Sequence, residues 1–455
     1  MKQERPVSAG NGLILFIYQI GFAGAGLLYL FLRLLRGRAT PGLRQRLAWY
    51  SRSLAQALQG LHRPIWIHMV SVGEVLAAEP LIQELRRRMP SRSWVITTVT
   101  PTGQSVAKRL LRGPQDQLLY LPWDLEPIIR RALRVIHPDF FIAFETELWP
   151  VLFHRLERSR VPIVVVNGRI SPAGYRRYLW VRPFMERTLR SVAYVLTQSP
   201  QDARRYAAIG APKDRIAVTG NVKWDFKGAD SLQKEGVDPL RALLGLSPGE
   251  LLWTAGSTHP GEEEQILQAF RYIKTRIPGI KLLLAPRHPE RVAEVEQAVK
   301  GLDLSSVRRS QLAHSDHSSA SAVVLLDTLG ELPAFYRASD LVFVGGSLVP
   351  HGGHNLIEPA AFKRAILTGP HLNNFQAVGE SLTQAGGMVL VHSVEDLQDA
   401  VLRLVQDPDA RRELGRRAYS VVQEHAGATA RTADWLEGVM RRSSNGLHGP
   451  ASLRG

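Results

Sequence analysis

Gly345 to Ala361 reads Gly-Gly-Ser-Leu-Val-Pro-His-Gly-Gly-His-Asn-Leu-Ile-Glu-Pro-Ala-Ala and concentrates more chemistry than any other stretch of this chain. It follows an apolar run, Leu341-Val-Phe-Val344, that reads as a buried parallel strand, and it leads into a helix predicted to start near Asn355. A Gly-rich turn between a strand and a helix leaves backbone N–H groups free at the helix N-terminus, where phosphate is favoured. Gly345, Gly346, Gly352 and Gly353 would let the chain approach a ligand closely. His351, His354, Asn355 and Glu358 add side-chain contacts, and Glu358 sits one helical turn beyond His354. A carboxylate there suits the two hydroxyls of a ribose. The plain alternative is a tight strand–helix turn capped by Asn355.

Other polar clusters also follow apolar runs, which is where open parallel sheets hold their ligands. His68-Met-Val-Ser71-Val-Gly73-Glu74 stands at the first such junction. Glu74 reads equally as a complement to the helix dipole and as a general base. Thr100-Pro-Thr102-Gly-Gln104 repeats the pattern, with an ordinary N-cap as its simple reading. Glu145 and Glu147 close another apolar run two residues apart, so both point to one face if the strand continues. Such a pair suits acid/base work, sugar-hydroxyl binding or a cation, although no third metal ligand lies nearby in sequence. Asn167-Gly-Arg169 can bind a carboxylate or a hydroxyl-rich ligand, and Gly220-Asn-Val-Lys223 closes a later strand. In the second half, Gly256-Ser257-Thr258-His259 precedes the acidic helix start Gly261-Glu-Glu-Glu264, and Ser257 and Thr258 could hold phosphate. Pro286-Arg287-His288 follows the next strand; Arg287 is either a donor fork for phosphate or a base edge, or a surface arginine. No Walker A motif and no well-placed Gly-x-Gly-x-x-Gly occur, which disfavours ATP hydrolysis and dinucleotide redox chemistry.

The elements that must position these residues alternate between strand and helix, the mark of α/β parallel sheets. Strands are predicted at 64–70, 94–99, 118–121, 139–144, 161–166, 193–197 and 215–218. A second series covers 251–255, 280–285, 322–326, 341–344, 365–368 and 387–391. Residues 42–60 read as one amphipathic helix. The expected division is an anchor and basic flank at 1–40, a first Rossmann-like domain at 41–225, a linker at 226–248, a second domain at 249–441 and a tail at 442–455. Two doubly wound halves of this kind would face each other across a cleft.

At 455 residues two domains are the default. The net charge is +16, and residues 1–65 hold nine Lys or Arg against one Glu. The absence of cysteine excludes disulfides, thiolate metal sites and a Cys nucleophile. Gly12 to Leu32 is apolar apart from Gln19, long enough for a membrane helix, and is followed by Arg33, Arg36, Arg38, Arg44 and Arg46. Those arginines place the rest of the chain on the cytoplasmic side and could meet anionic headgroups. Gly21, Gly24 and Gly26 equally fit a re-entrant or interfacial segment. The basic residues cluster beside this segment and not among stacking aromatics, so nucleic acid is not an expected partner.

Taken together, these motifs resemble the 3-deoxy-D-manno-oct-2-ulosonic acid (Kdo) transferases of lipopolysaccharide synthesis. The match is carried by Val70-Ser-Val-Gly-Glu74, Thr98-Val-Thr-Pro-Thr-Gly103, Glu145-Thr-Glu-Leu-Trp-Pro150, Asn167-Gly-Arg169, Gly220-Asn-Val-Lys223, Gly256-Ser-Thr-His259, Pro286-Arg-His-Pro-Glu-Arg291 and Gly345–Ala361, in that order. The resemblance implies a GT-B glycosyltransferase fold, CMP-Kdo as donor and a lipid A precursor as acceptor at the bacterial inner membrane. It implies Glu74 as general base, with Glu145 beside it. It implies donor contacts from Ser257, Thr258, Arg287, His288, Gly352, Gly353, Asn355 and Glu358. Ser71, Gly73, Thr102, Glu147, Asn167, Arg169 and Lys223 would meet the acceptor or Kdo. No metal and no cofactor is called for. Gly168 departs from the Ala expected between Asn and Arg. Another enzyme of the same architecture, such as a UDP-sugar transferase or nucleotide-sugar 2-epimerase, and a membrane-tethered binding protein without catalysis are the rival readings. The sequence carries no signal of oligomeric state.

Overall fold

The computed structural model describes residues 9–37, 39–225, 238–314 and 321–444. Arg38, residues 226–237 of the expected linker and residues 445–455 of the expected tail lie outside the described residues. The chain divides into two units, residues 1–223 with 427–455 and residues 224–426.

The first unit is built on seven parallel strands: β1 Ile65–His68, β2 Trp94–Thr98, β3 Asp116–Tyr120, β4 Phe140–Phe144, β5 Ile163–Gly168, β6 Tyr194–Thr197 and β7 Ile216–Val218, in the order β3-β2-β1-β4-β5-β6-β7. The sequence wrote these strands as apolar runs because helices cover both faces. Side chains alternate between two cores. Trp66, Phe141, Ala143 and Val165 enter one, and Ile65, Ile67, Phe140, Ile142 and Val164 enter the other. β1 pairs with both β2 and β4, so the strand order reverses between β1 and β4. Glu74 follows one of those strands and Glu145 the other.

The second unit repeats the plan with β8 Leu251–Thr258, β9 Ile280–Pro286, β10 Ser306–Arg308, β11 Val323–Leu325, β12 Leu341–Val344, β13 Ala365–Thr368 and β14 Met388–Leu390, in the order β10-β11-β9-β8-β12-β13-β14. Its reversal lies between β8 and β12, the two strands that carry Ser257 and Gly345 at their ends. In each unit the polar motifs therefore stand at the topological switch point of a doubly wound sheet, where ligands are held.

Three expectations change. The helix expected over 42–60 is two helices, Leu43–Arg46 and Arg52–Gln59. The break follows from Ala48 at φ 53° and from Ser51, whose hydroxyl accepts the Leu54 N–H and starts a new helix. The last helix, Ala428–Ser444, belongs to the first unit and not to the domain expected at 249–441. Its Ala433, Leu436, Val439 and Met440 join the core around Val75, Ala78 and Leu81, and its Asp434 and Glu437 pair with Arg88 of the helix Val72–Arg88. Residues 238–248 also leave the linker: Asp238–Leu243 is helical, and Leu244 is buried with Leu252 and Phe335.

Candidate active site

In the first unit, Ser71 is the N-cap of the helix Val72–Arg88, and Glu74 lies in its first turn. The Val70 N–H donates to Glu74 Oε2 at 2.8 Å, and the Ser71 hydroxyl reaches Oε1 at 3.3 Å. Both sequence readings of Glu74 thus share one geometry: it satisfies the helix start and it presents a carboxylate at the sheet's switch point. Burial pushes its carboxyl up to about 7, and the charges of Glu145 and Glu147 add to that, against the Val70 N–H. A carboxylate with this pKa is poised to take a proton near neutral pH. Gly73 is exposed, and a Cβ there would meet only the Ser71 hydroxyl, at 3.9 Å.

Glu145 follows β4 at φ 61°, a conformation few side chains adopt. Its Oε1 pairs with Lys223 Nζ at 2.9 Å. Asn167, also left-handed at φ 56°, is fully buried, and its Oδ1 accepts the Val222 N–H at 3.1 Å. Asn167 thereby fixes the loop that delivers Lys223 to Glu145. Glu147 Oε2 lies 3.8 Å from Nε2 of the buried His68. His68 Nδ1 lies 3.2 Å from the Thr97 carbonyl and 3.1 Å from Thr97 Oγ1, which leaves Nε2 facing Glu147. His68 had one signal in the sequence, a polar residue closing the apolar strand Ile65–His68. Arg169 enters through its backbone, whose carbonyl accepts the Thr146 hydroxyl. Thr102 is exposed on the helix Pro101–Ala107, 3.5 Å from Thr100 Oγ1, and Thr100 caps that helix through the Gly103 N–H.

In the second unit the Gly-rich turn differs from its expected form. The N–H groups of Gly346, Ser347 and Leu348 donate to the buried carboxylate of Glu262 at 2.6, 2.8 and 2.8 Å, and the His259 N–H does so at 3.1 Å. These donors are spent inside the protein. Glu262 was legible only as one of three consecutive acids at a helix start. The glycines serve close packing as well. A Cβ at Gly345 would lie 2.6 Å from the Ser257 carbonyl oxygen, and one at Gly352 would lie 2.6 Å from Asn374 Nδ2. Gly345→Ala forces backbone against backbone and is expected to cost roughly 1–3 kcal/mol, read as a lower urea midpoint. Thr258 is fully buried and donates to Glu263, which pairs with Arg291 at 3.0 Å. Ser257, at φ 59°, remains partly exposed at the end of β8.

Two residues beyond Ser257, His259 gathers three further imidazoles. His259 Nε2 and His354 Nε2 are 2.9 Å apart, His351 stacks on His259 with ring centroids 4.1 Å apart, and His288 meets it edge-on at 6.1 Å. Burial, then the neighbouring imidazoles and Arg287, press His259 and His354 down to about 4. Both are therefore neutral at physiological pH, and because the Nε2–H of one is spent on the Nε2 of the other, the pair keeps a single N–H donor, on the Nδ1 of the accepting ring. Arg287 is exposed at the end of β9, its N–H held by the Thr258 carbonyl at 2.9 Å. Asn355 Oδ1 accepts the Ile357 N–H at 3.0 Å, so the turn's helix starts at Ile357, two residues later than expected. Asn355 Nδ2 donates to Glu358 Oε1 at 3.1 Å, and burial lifts that carboxyl to about 7. Among the described residues no group of three or more His, Cys, Asp or Glu side chains is arranged to hold a metal ion. The second unit thus gathers a neutral imidazole donor, an arginine and a hydroxyl, with Glu358 in the same turn segment. The first gathers a tuned carboxylate with two more acids and a lysine.

Comparison with known proteins points to one group. Residues 41–226 match the family described as 3-Deoxy-D-manno-octulosonic-acid transferase (kdotransferase). The 3-deoxy-D-manno-octulosonic acid transferase of Haemophilus influenzae is 37% identical over 409 residues, covering 89% of this chain and 93% of that protein. The enzyme of the same name from Bordetella pertussis is 33% identical, covering 86% and 90%. Among solved structures, the UDP-GlcNAc 2-epimerase of Neisseria meningitidis superposes with a TM-score of 0.55 at 12% identity, covering 83% of this chain and all of that one, which establishes a shared fold. Two parallel Rossmann-like sheets preceded by one apolar helix make this a GT-B fold. The chain is a glycosyltransferase of the 3-deoxy-D-manno-octulosonic acid transferase family.

Proposed function

We propose that this enzyme moves Kdo from CMP-Kdo to a hydroxyl of a lipid A precursor, with inversion at the anomeric carbon, on the cytoplasmic face of the inner membrane. Family membership supports Kdo transfer, and one observation supports the mechanism: the carboxyl of Glu74 is held at about 7 at the switch point of the first sheet.

Glu74 takes the proton of the acceptor hydroxyl. The hydroxyl oxygen then forms a bond to the anomeric carbon of Kdo as the bond from that carbon to the CMP phosphate oxygen breaks, and CMP departs with the electron pair. Direct attack by the acceptor inverts the centre, by analogy with glycosidases that use a base and no nucleophile. We assign the Kdo carboxylate to Lys223, which exchanges its ion pair with Glu145 for it. Ser257, Arg287 and the one N–H that the His259–His354 pair leaves free are matched to the phosphate of the nucleotide, and Glu358 to its ribose hydroxyls. Because Gly346, Ser347 and Leu348 already serve Glu262, those backbone groups are left out of the phosphate site.

Two measurements test the reading. Incubation with CMP-Kdo and lipid IVA, followed by mass spectrometry of the lipid, is expected to show added Kdo with equimolar CMP release. Release of UDP from a UDP-sugar in its place would favour the epimerase-like or UDP-transferase alternative, and binding without turnover a tethered receptor. For the donor site, Arg287→Ala and Glu358→Ala are each expected to weaken CMP binding by roughly 1–3 kcal/mol in calorimetry, with Glu74→Gln nearly silent. The reverse ranking would exchange the roles of the two units.

A further inference from the structure

Ile14–Leu35 has a mean hydropathy of 1.9 and is long enough to cross a bilayer. A crossing helix, however, has its middle surrounded by lipid over about 30 Å. In this protein one face of the middle of the helix Ala9–Leu35 packs against the first unit. Leu15, Tyr18, Gln19, Phe22 and Gly26 recur at spacings of three and four and so share one face. Along that face the Tyr18 hydroxyl donates to Asp124 Oδ2 at 3.0 Å, and Gln19 Oε1 accepts the Glu126 N–H at 2.9 Å. Phe22 meets Trp149 edge-on at 6.3 Å, the Tyr18 ring lies 5.5 Å from Phe184, and Gly26 leaves room for the Trp123 ring, which a Cβ would meet at 3.2 Å. Asp124 is buried and also accepts the Val151 and Leu152 N–H groups at 3.0 and 2.7 Å, so Tyr18 is tied into the packing of a helix of the first unit. Sinking Tyr18 to mid-bilayer would carry Asp124, Glu126 and their neighbours into hydrocarbon or break these bonds, and either leaves polar groups unsatisfied where no water can reach them.

The other side of the helix carries exposed Phe16, Ile17, Ile20, Leu27, Leu28 and Phe31. A second exposed apolar feature lies nearby. At the tip of the hairpin formed by helices Pro172–Trp180 and Arg182–Arg190, Trp180 is 90% exposed, between Leu179 at 38% and Val181 at 46%. Arg176, Arg177 and Arg182 are exposed around it. An exposed Trp among arginines is the composition of a membrane–water interface facing anionic headgroups. Phe184, the residue of this hairpin that Tyr18 touches, makes the two features neighbours.

We propose that the helix Ala9–Leu35 lies along the membrane surface without crossing it, and that it forms with the Trp180 hairpin one docking surface for an anionic phospholipid bilayer. This rests on the membrane reading given above and replaces a spanning anchor with an in-plane one. Both ends of the helix then stay on the same side, and the Glu74 unit is held flat against the bilayer where a lipid acceptor resides.

The absence of cysteine makes the test clean. Ala9→Cys and Arg36→Cys, each in the full chain in cells, are treated with an impermeant maleimide on intact spheroplasts and again after lysis. An in-plane helix protects both before lysis and exposes both after it. Labelling of Ala9→Cys in intact spheroplasts, with Arg36→Cys protected, would mean a crossing helix and overturn the proposal. Recovery of the chain wholly in the soluble fraction would overturn the membrane reading itself. Trp180→Ala, at a site exposed enough to leave the fold intact, is expected to lower binding of the full chain to phosphatidylcholine–phosphatidylglycerol vesicles by roughly fivefold or more in flotation assays. Unchanged binding would remove the hairpin from the docking surface.

Discussion

Glu74→Gln is expected to lower turnover of Kdo transfer by roughly 10²–10⁴ while leaving nucleotide binding nearly intact. The amide keeps the size of the carboxyl, and its oxygen can still accept the Val70 N–H that now reaches Oε2 at 2.8 Å, so the helix start survives. What is lost is the ability to accept a proton. The same change is expected to leave the fold at least as stable at pH 8. A carboxyl lifted from its ordinary value to about 7 binds its proton more tightly folded than unfolded, so native stability falls as pH rises from about 4.5 to about 7 and stays lowered above that. Gln carries no such cost. A variant that is inactive, folded and no less stable at pH 8 marks Glu74 as a residue of the chemistry; one that is inactive because it unfolds marks it as a cap. If Glu145→Gln abolished turnover with the fold intact and Glu74→Gln did not, the base would be Glu145.

Glu262→Ala is expected to produce the largest loss of stability among single changes in the second unit. The Glu262 carboxylate accepts four backbone N–H groups, those of His259, Gly346, Ser347 and Leu348, and is fully buried. Removing it strands donors that cost roughly 1–3 kcal/mol each where water cannot reach them, so a total of roughly 3 kcal/mol or more is expected in urea unfolding. Glu262→Gln keeps one acceptor oxygen and is expected to fall between. CMP binding should decline along the same series, because the loop that carries His351, His354 and Glu358 would no longer be pinned to the helix start after β8. Full stability in Glu262→Ala would mean that water replaces the carboxylate and that the turn is held by its other contacts.

The fold was largely legible because strands buried on both faces are written as uninterrupted apolar runs. β10 was missed for the complementary reason: Ser306–Arg308 has one apolar residue, Val307, at the edge of the sheet. The destination of the last helix was not legible, since the apolar face of Ala428–Ser444 fits any helix-covered sheet, and only packing against the helix Val72–Arg88 decides between them. In the candidate site, residue types after strand ends singled out Glu74, Ser257 and, further along its turn, Glu358, one by one. Pairings across long separations were invisible: Lys223 with Glu145, Asn167 with the Val222 N–H, and His68 with Glu147. The Gly-rich turn was the instructive case. Its glycines pointed to backbone donors left free at a helix N-terminus, whereas the donors it presents are those of Gly346, Ser347 and Leu348, ahead of the helix at Ile357 and filled by an internal carboxylate that the sequence could not name.

The most direct test of the account is the pH dependence of a single turnover, with enzyme in excess over lipid IVA and CMP-Kdo saturating. With Glu74 as the base, the logarithm of the rate rises with unit slope below about 7 and levels off above it, and in Glu74→Gln that inflection disappears along with most of the rate. A Gln variant that retained both the inflection and a near-native rate would contradict the assignment and with it the mechanism proposed for this enzyme.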